Sequence, residues 1–253
     1  MNAEPGGRAR RTALITGASS GIGLAFAREL ARRDHDLILV ARRKNRLEAI
    51  ASEIIEEHGV DVLPVTGDLS EANSPRELFD ALTSVGRSVD LIVNNAGFGV
   101  PGKLIEVDWA RHRDCLEVMS AAPVHLVHLI APGMVARGYG WIINVSSLAA
   151  LLPPHSGGTL YYPVKSFLLQ FSLAIGEELR PDGINVTAVC PGFTDTEMLR
   201  QHVPEDVMAQ VAQMSAFDRL VDPDEIAATL HWAAQNPVIN GSVIHANLGQ
   251  VER

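Results

Sequence analysis

Thr16-Gly17-Ala18-Ser19-Ser20-Gly21-Ile22-Gly23 decides the fold. It follows the apolar run Ala13-Leu14-Ile15 and precedes the helix-like stretch Leu24 to Arg33, so the chain passes from a strand through a glycine turn into a helix. The first N–H groups of a helix have no intrahelical partner, and the helix dipole favours negative charge beside them. The junction therefore suits a phosphate. Its glycines permit a sharp turn and let a pyrophosphate approach with no Cβ in the way. The Gly-x-x-x-Gly-x-Gly spacing differs from the commoner Gly-x-Gly-x-x-Gly of dinucleotide sites. The plainer alternative is a turn that only joins strand to helix.

Downstream, short apolar runs alternate with amphipathic segments, the pattern of a parallel sheet flanked by helices. Strands are expected at 13–16, 37–41, 61–65, 91–94, 141–145, 185–190 and 243–246. Runs such as Leu37-Ile38-Leu39-Val40 are apolar throughout, as strands covered on both faces are in a doubly wound sheet. Ligands of such sheets bind at the carboxyl ends of the strands. The segment Trp109 to Arg137 reads as one long helix or two. Asp222-Pro223-Asp224-Glu225 starts another, with Pro early and acids in its first turn.

The 253 residues fit a single dinucleotide-binding and catalytic α/β domain over 12–253, preceded by a flexible arm over 1–11. The net charge of −9 argues against nucleic acid or an anionic membrane as partner, since both call for basic patches. Met1 to Arg11 lacks the apolar core of a secretory signal, and no uninterrupted apolar run approaches the length of a membrane span, so a cytoplasmic location is expected. Cys115 and Cys190 lie far apart and read as buried small apolar residues. His125 and His128 stand one turn apart with no third ligand near them in sequence, so no metal is expected.

Further stretches carry chemistry. Asn94-Asn95-Ala96-Gly97 closes the fourth strand, and Ser146-Ser147 ends the fifth. Tyr161-Tyr162-Pro163-Val164-Lys165 begins a helix. A Tyr four residues before a Lys lies one turn away on the same face, so the ammonium is expected to depress the phenol pKa from about 10 towards a usable acid or base. Tyr162 has no Lys four residues on. With Thr-Gly-x-x-x-Gly-Ile-Gly at the first turn, these motifs resemble the short-chain dehydrogenase/reductase family, in the family's order, from Thr12 to about Gly249.

The resemblance implies a Rossmann-type doubly wound sheet of about seven strands and an oxidoreductase acting on an alcohol/carbonyl pair. It assigns Gly17, Ser19, Ser20, Gly21, Ile22 and Gly23 to the cofactor, and passes Asn95, Ala96 and Gly97 along the adenine ribose. Asp68 would meet the adenine amino group and Leu69 pack on the ring; the alternative for Asp68 is to cap a turn before the helix near Pro75. Pro191, Gly192, Thr194 and Thr196 would hold the nicotinamide amide, and Thr196 also suits a helix N-cap for Glu197 onward. Ser147 would bind the substrate oxygen, Tyr161 donate or remove the proton, and Lys165 lower the Tyr pKa and bind the nicotinamide ribose. A homo-oligomer, dimer or tetramer, is implied as well.

Cofactor choice rests on the end of the second strand. Ala41 stands where the resemblance places an acid for the ribose diol, and Arg42 follows with a guanidinium suited to phosphate and to stacking on adenine. NADP(H) is expected rather than NAD(H). The alternative makes Arg42, Arg43, Lys44 and Arg46 a solvated start to the next helix, unfavourable against its dipole without an anion nearby.

Two departures stand out. The family's catalytic Asn falls at Met119, which gives weight to the alternative of an NADP(H)-binding regulatory or structural protein with little catalysis. Pro153-Pro154 to Gly157-Gly158 lengthens a connection by about one residue relative to the family pattern. Phe98, Leu148, Leu152, Phe193, Met198 and Leu199 are expected around the nicotinamide, which points to an apolar, medium-sized carbonyl or alcohol as the small-molecule substrate. Glu197 to Met214 is expected to cover it.

Overall fold

The computed structural model describes residues 10–153 and 158–250. Most of the expected arm, and the core of the lengthened connection at 154–157, lie outside the described residues. Seven strands, β1 (Thr12–Thr16), β2 (Asp36–Ala41), β3 (Val62–Thr66), β4 (Leu91–Asn94), β5 (Gly140–Val145), β6 (Ile184–Pro191) and β7 (Val243–Ala246), form one sheet in the order β3-β2-β1-β4-β5-β6-β7. Every neighbouring pair is parallel. Each strand lies within a residue or so of its expected position. The order reverses between β1 and β4, and the loops leaving those two strands open a crevice at their carboxyl ends.

The helices are α1 (Gly21–Arg32), α2 (Lys44–His58), α3 (Ser74–Ser84), α4 (Trp109–Leu116), α5 (Ala122–Arg137), α6 (Tyr161–Leu179), α7 (Glu197–His202), α8 (Glu205–Ala212) and α9 (Pro223–Gln235). Alternate strand residues supply two cores. Ile15, Leu37, Leu39 and Val93 pack with Phe26 and Leu30 of α1, with α2 and with α9. Leu14, Ile38, Ile92 and Ile142 pack with α3, α5 and α6 on the other face. Phe26 and Leu30 are wholly buried, which stabilises the α1 docking by roughly 1.5–3 kcal/mol each. That docking holds the glycine loop in place.

Local chemistry sets the ends. Asp222 and Glu225 form a capping box at α9, and α2 stops at Gly59 with φ 65°. α4 and α5 are joined by a π turn, Glu117–Ala121, so Trp109–Arg137 is one helical run. By length and composition this run could cross a membrane, with a mean hydropathy of 1.5 over its best window, although Ser120, His125 and His128 interrupt its apolar residues. Half of that window is buried against the rest of the fold, which makes it a core helix. Arg10 and Arg11 are likewise not loose. Arg10 bonds Asp34 at 2.6 Å, and the Arg11 guanidinium lies 4.5 Å over the Tyr139 ring.

Candidate active site

A cavity of about 680 Å³ opens at the carboxyl ends of the strands. Its first wall is the glycine loop. Gly17 N and Ala18 N donate to Val40 O at 2.9 and 3.2 Å, which ties the loop to β2. Gly17 has φ +70°, and a Cβ there would sit 2.9 Å from Ala96 Cα. Gly17, Ser19, Ser20, Gly21 and Ile22 line the cavity, but Gly23 does not. A Cβ on Gly23 would stand 2.5 Å from both Asn95 Nδ2 and Gly17 O, so this glycine lets α1 close on the loop. The start of α1 has no side-chain cap and no acid in its first turn. Its amide donors and the space over the glycines fit a pyrophosphate.

The loops after β2 and β3 form the next wall. Arg42 lies 3.9 Å from Asp68 Oδ2, and both line the cavity with Leu69. Asp68 also keeps its turn role: Oδ1 accepts from Ser70 N at 3.0 Å and from Ser70 Oγ at 2.8 Å. The arginines after Arg42 do not form a simply solvated helix start. Arg43 bonds Ser19, Ser20 and Glu197, and Arg46 bonds Glu197. The anion that the start of α2 needs is thus supplied from far along the chain.

Asn95, Ala96 and Gly97 follow β4 along the floor of the cavity. Thr16 Oγ1 accepts from Asn95 N and Ala96 N, each at 3.0 Å, and Asn95 Nδ2 donates to Thr16 O at 2.9 Å. Asn94 turns into the sheet instead. Its Nδ2 donates to Asn144 Oδ1 at 2.8 Å, and Asn144 Nδ2 donates to Ser172 Oγ of α6 at 2.8 Å. This buried polar chain fixes β4, β5 and α6 against one another, and α6 carries the reactive pair.

Ser147, Tyr161 and Lys165 meet in the cavity. Ser147 Oγ accepts from Ala149 N at 3.1 Å, and its hydroxyl lies beside the Tyr161 phenol in the cavity. Lys165, 4% exposed, donates from Nζ to Val145 O at 2.8 Å, and Ser146 Oγ donates to Lys165 O at 2.7 Å. Burial lowers the Lys165 pKa from 10.5 to about 8, opposed by the nearby Cys190 and Cys115 thiols. Burial pushes the Tyr161 phenol above its ordinary 10, and the Ser147 hydroxyl works against that rise. The expected depression by Lys165 is therefore corrected. Nζ stands 5.8 Å from the Tyr161 ring centroid and is committed to a carbonyl, while burial dominates the phenol.

Met119 is 1% exposed and sits in the π turn. A Cβ on Gly97 would lie 2.9 Å from Met119 Sδ and 3.7 Å from Lys165 Nζ, so the thioether and the ammonium approach the same glycine. Cys115, one turn earlier, packs in this cluster with Val118 and Val164. Burial pushes the thiols of Cys115 and Cys190 up, and both are free.

The last wall follows β6. Pro191, Gly192, Thr194 and Thr196 line the cavity. Phe193 N donates to Gln250 Oε1 at 2.7 Å, a pinning contact that the sequence reading missed because Gln250 is 57 residues away. Thr196 Oγ1 accepts from Leu199 N at 3.3 Å, so the N-cap role holds. All six expected apolar residues, Phe98, Leu148, Leu152, Phe193, Met198 and Leu199, line the cavity. So does Tyr162, set aside in the sequence for want of a paired Lys. Of the stretch expected to cover the substrate, α7, Val203 and Met214 line the cavity, whereas no residue of α8 does.

The short chain dehydrogenase family model matches residues 11–206. A probable NADP-dependent dehydrogenase of Haemophilus influenzae is 32% identical over 248 residues, 95% of this chain and 92% of its own. The L-sorbose reductase of Gluconobacter frateurii, solved with NADPH and L-sorbose, aligns with a TM-score of 0.87 at 29% identity, over 96% of this chain and 97% of its own. An alcohol dehydrogenase of Comamonas testosteroni, specific for bulky-bulky ketones, aligns with a TM-score of 0.78 at 30% identity, over 93% and 86%.

Proposed function

The chain belongs to the short-chain dehydrogenase/reductase family, and we propose that, as an NADP(H)-dependent oxidoreductase of that family, it reduces an apolar, medium-sized ketone to its alcohol. The observation that carries the reading is the convergence of Ser147, Tyr161 and Lys165 in one cavity that six expected apolar side chains also line. Arg42 at the end of β2, with no acid at Ala41, supports NADP(H). The cofactors named for the Haemophilus and Gluconobacter proteins support it too.

Bound nicotinamide supplies the hydride that reduces the carbonyl carbon. The chain supplies the rest. Ser147 Oγ accepts from Ala149 N, and its single hydroxyl proton is left to donate to the substrate oxygen. Tyr161, kept protonated at neutral pH by burial, donates its proton to the carbonyl oxygen as negative charge develops there. Lys165, an ammonium below about pH 8, holds positive charge beneath the site. Met119 cannot reproduce the hydrogen bonds of an Asn to water, since a thioether has no donor and accepts weakly. Proton resupply to Lys165 therefore needs water held by groups other than Met119, since the Val145 carbonyl that accepts from Nζ has no proton to give.

The cytoplasmic setting belongs to the same proposal; free, buried Cys115 and Cys190 suit a reducing compartment. The test is purified protein against a panel of ketones with NADPH and NADH. Turnover is expected for bulky apolar ketones with NADPH. Best turnover on small sugar acids or phosphorylated substrates would overturn the substrate class.

A further inference from the structure

Arg43 spans the two halves of the site. Its Nη2 donates to Ser19 Oγ at 3.1 Å and Ser20 Oγ at 3.0 Å, which fixes the guanidinium on the glycine loop. Its Nη1 donates to both carboxylate oxygens of Glu197, at 2.8 and 3.0 Å. Arg46 Nη1 reaches the same carboxylate at 3.3 Å. Glu197 lies 154 residues from Arg43 and opens α7. The adjoining Thr196 methyl would lie only 3.0 Å from a Cβ on Gly21, so the start of α7 rests on the glycine loop itself.

We propose that Glu197 sets the strength of cofactor discrimination, by holding the Arg43 edge that a 2′-phosphate on the adenosine ribose would also engage. The inference rests on the NADP(H) reading above. Arg43 lies between the end of β2 and the glycine loop, where that reading puts the adenosine ribose. Its Nη2 and Nε face Ser19 and Ser20, so Nη1 is the edge open to exchange. Both Glu197 oxygens accept from the single Nη1, whose two N–H groups cannot serve a phosphate at the same time, so carboxylate and phosphate compete for it. The Glu197 side chain is 38% exposed, so its carboxylate turns to water without a burial penalty. NADH brings no second anion and does not enter this competition. Because Glu197 begins α7, which carries Met198 and Leu199 over the apolar half, capture of Arg43 by phosphate also releases the cover.

The test is equilibrium binding of NADPH and NADH by calorimetry at low ionic strength. Exposed ion pairs contribute about 0.2–1 kcal/mol, so Glu197→Gln is expected to tighten NADPH by about 1.4- to fivefold, with NADH unchanged. The same substitution in an Arg43→Gln/Arg46→Gln background is expected to lose that gain. Persistence of the gain in that background would mean simple repulsion between Glu197 and phosphate, and would overturn the proposal. Weaker NADPH binding in Glu197→Gln would overturn it too, since the carboxylate would then be orienting Arg43 for phosphate. Glu197 is part-exposed and outside both cores, and a thermal melt checks that the variant folds. The NADP(H) reading fails separately, if Arg42→Ala weakens NADPH and NADH equally, a result that leaves Glu197 untouched.

Discussion

Lys165→Met removes a buried ammonium while keeping an unbranched side chain of similar reach, and it isolates the electrostatic strain built into the site. In the fold the Lys165 pKa falls from 10.5 to about 8 because burial disfavours the charged form. At about 1.4 kcal/mol per pH unit, that drop makes the charged side chain cost about 3 kcal/mol of stability at neutral pH. Between pH 8 and 10.5 the unfolded chain binds more protons than the folded one, so this penalty is fully present below about pH 8 and is relieved as pH rises towards 10.5. Two-state linkage with those values gives a relief of about 2 kcal/mol between about pH 7.5 and pH 9.5. Tyr161, Cys115 and Cys190 act in the opposite sense, because their raised pKa values favour the folded state's protons and that stability is lost at alkaline pH. Tyr161 is common to both proteins; Lys165 itself holds the two thiols' pKa values down, so the comparison is made in a Cys115→Ala/Cys190→Ala background, and the Val145 carbonyl that loses its donor costs the variant the same at every pH. Urea unfolding of that background with and without Lys165→Met across this range therefore reads the Lys165 contribution as a difference of slopes. Parallel pH dependences would refute the argument, since they require an ammonium that folding does not strain.

Tyr161→Phe should lower carbonyl reduction by about 10²- to 10⁴-fold while leaving NADPH affinity nearly intact, because it removes the acid and not the cavity; steady-state rates and calorimetry on one preparation check both halves. Met119→Asn should alter turnover less and raise it where proton resupply limits, a change best read in the pH profile of kcat. Arg42→Ala should weaken NADPH by roughly 1.5–3 kcal/mol more than NADH, the worth of a charge-assisted hydrogen bond. Gly23→Ala should lower Tm and weaken both cofactors together, because its Cβ would collide with Asn95 Nδ2 and Gly17 O at 2.5 Å.

Much of this protein was legible in its sequence. Leu37-Ile38-Leu39-Val40 reads as a strand covered on both faces because consecutive side chains point to opposite sides of a sheet, and both sides are apolar. The turn at Thr16 to Gly23, the quartet ending β4 and the Tyr161–Lys165 spacing are local patterns whose chemistry depends on neighbours within a few residues. Other features were decided only by tertiary packing. The direction of the Tyr161 pKa follows from burial, a property of everything packed around α6, and that outweighs the nearby charge which helix spacing suggested. Arg43 looked like a solvated start to α2 until the fold brought Glu197 across to it from 154 residues away. Gly23 looked like a cofactor contact, yet its missing Cβ makes room for Asn95 rather than for a ligand. Periodicity and spacing report what a residue's chain neighbours impose; the desolvation of a charge, and its partner, are set by whatever the completed sheet and its helices press against it.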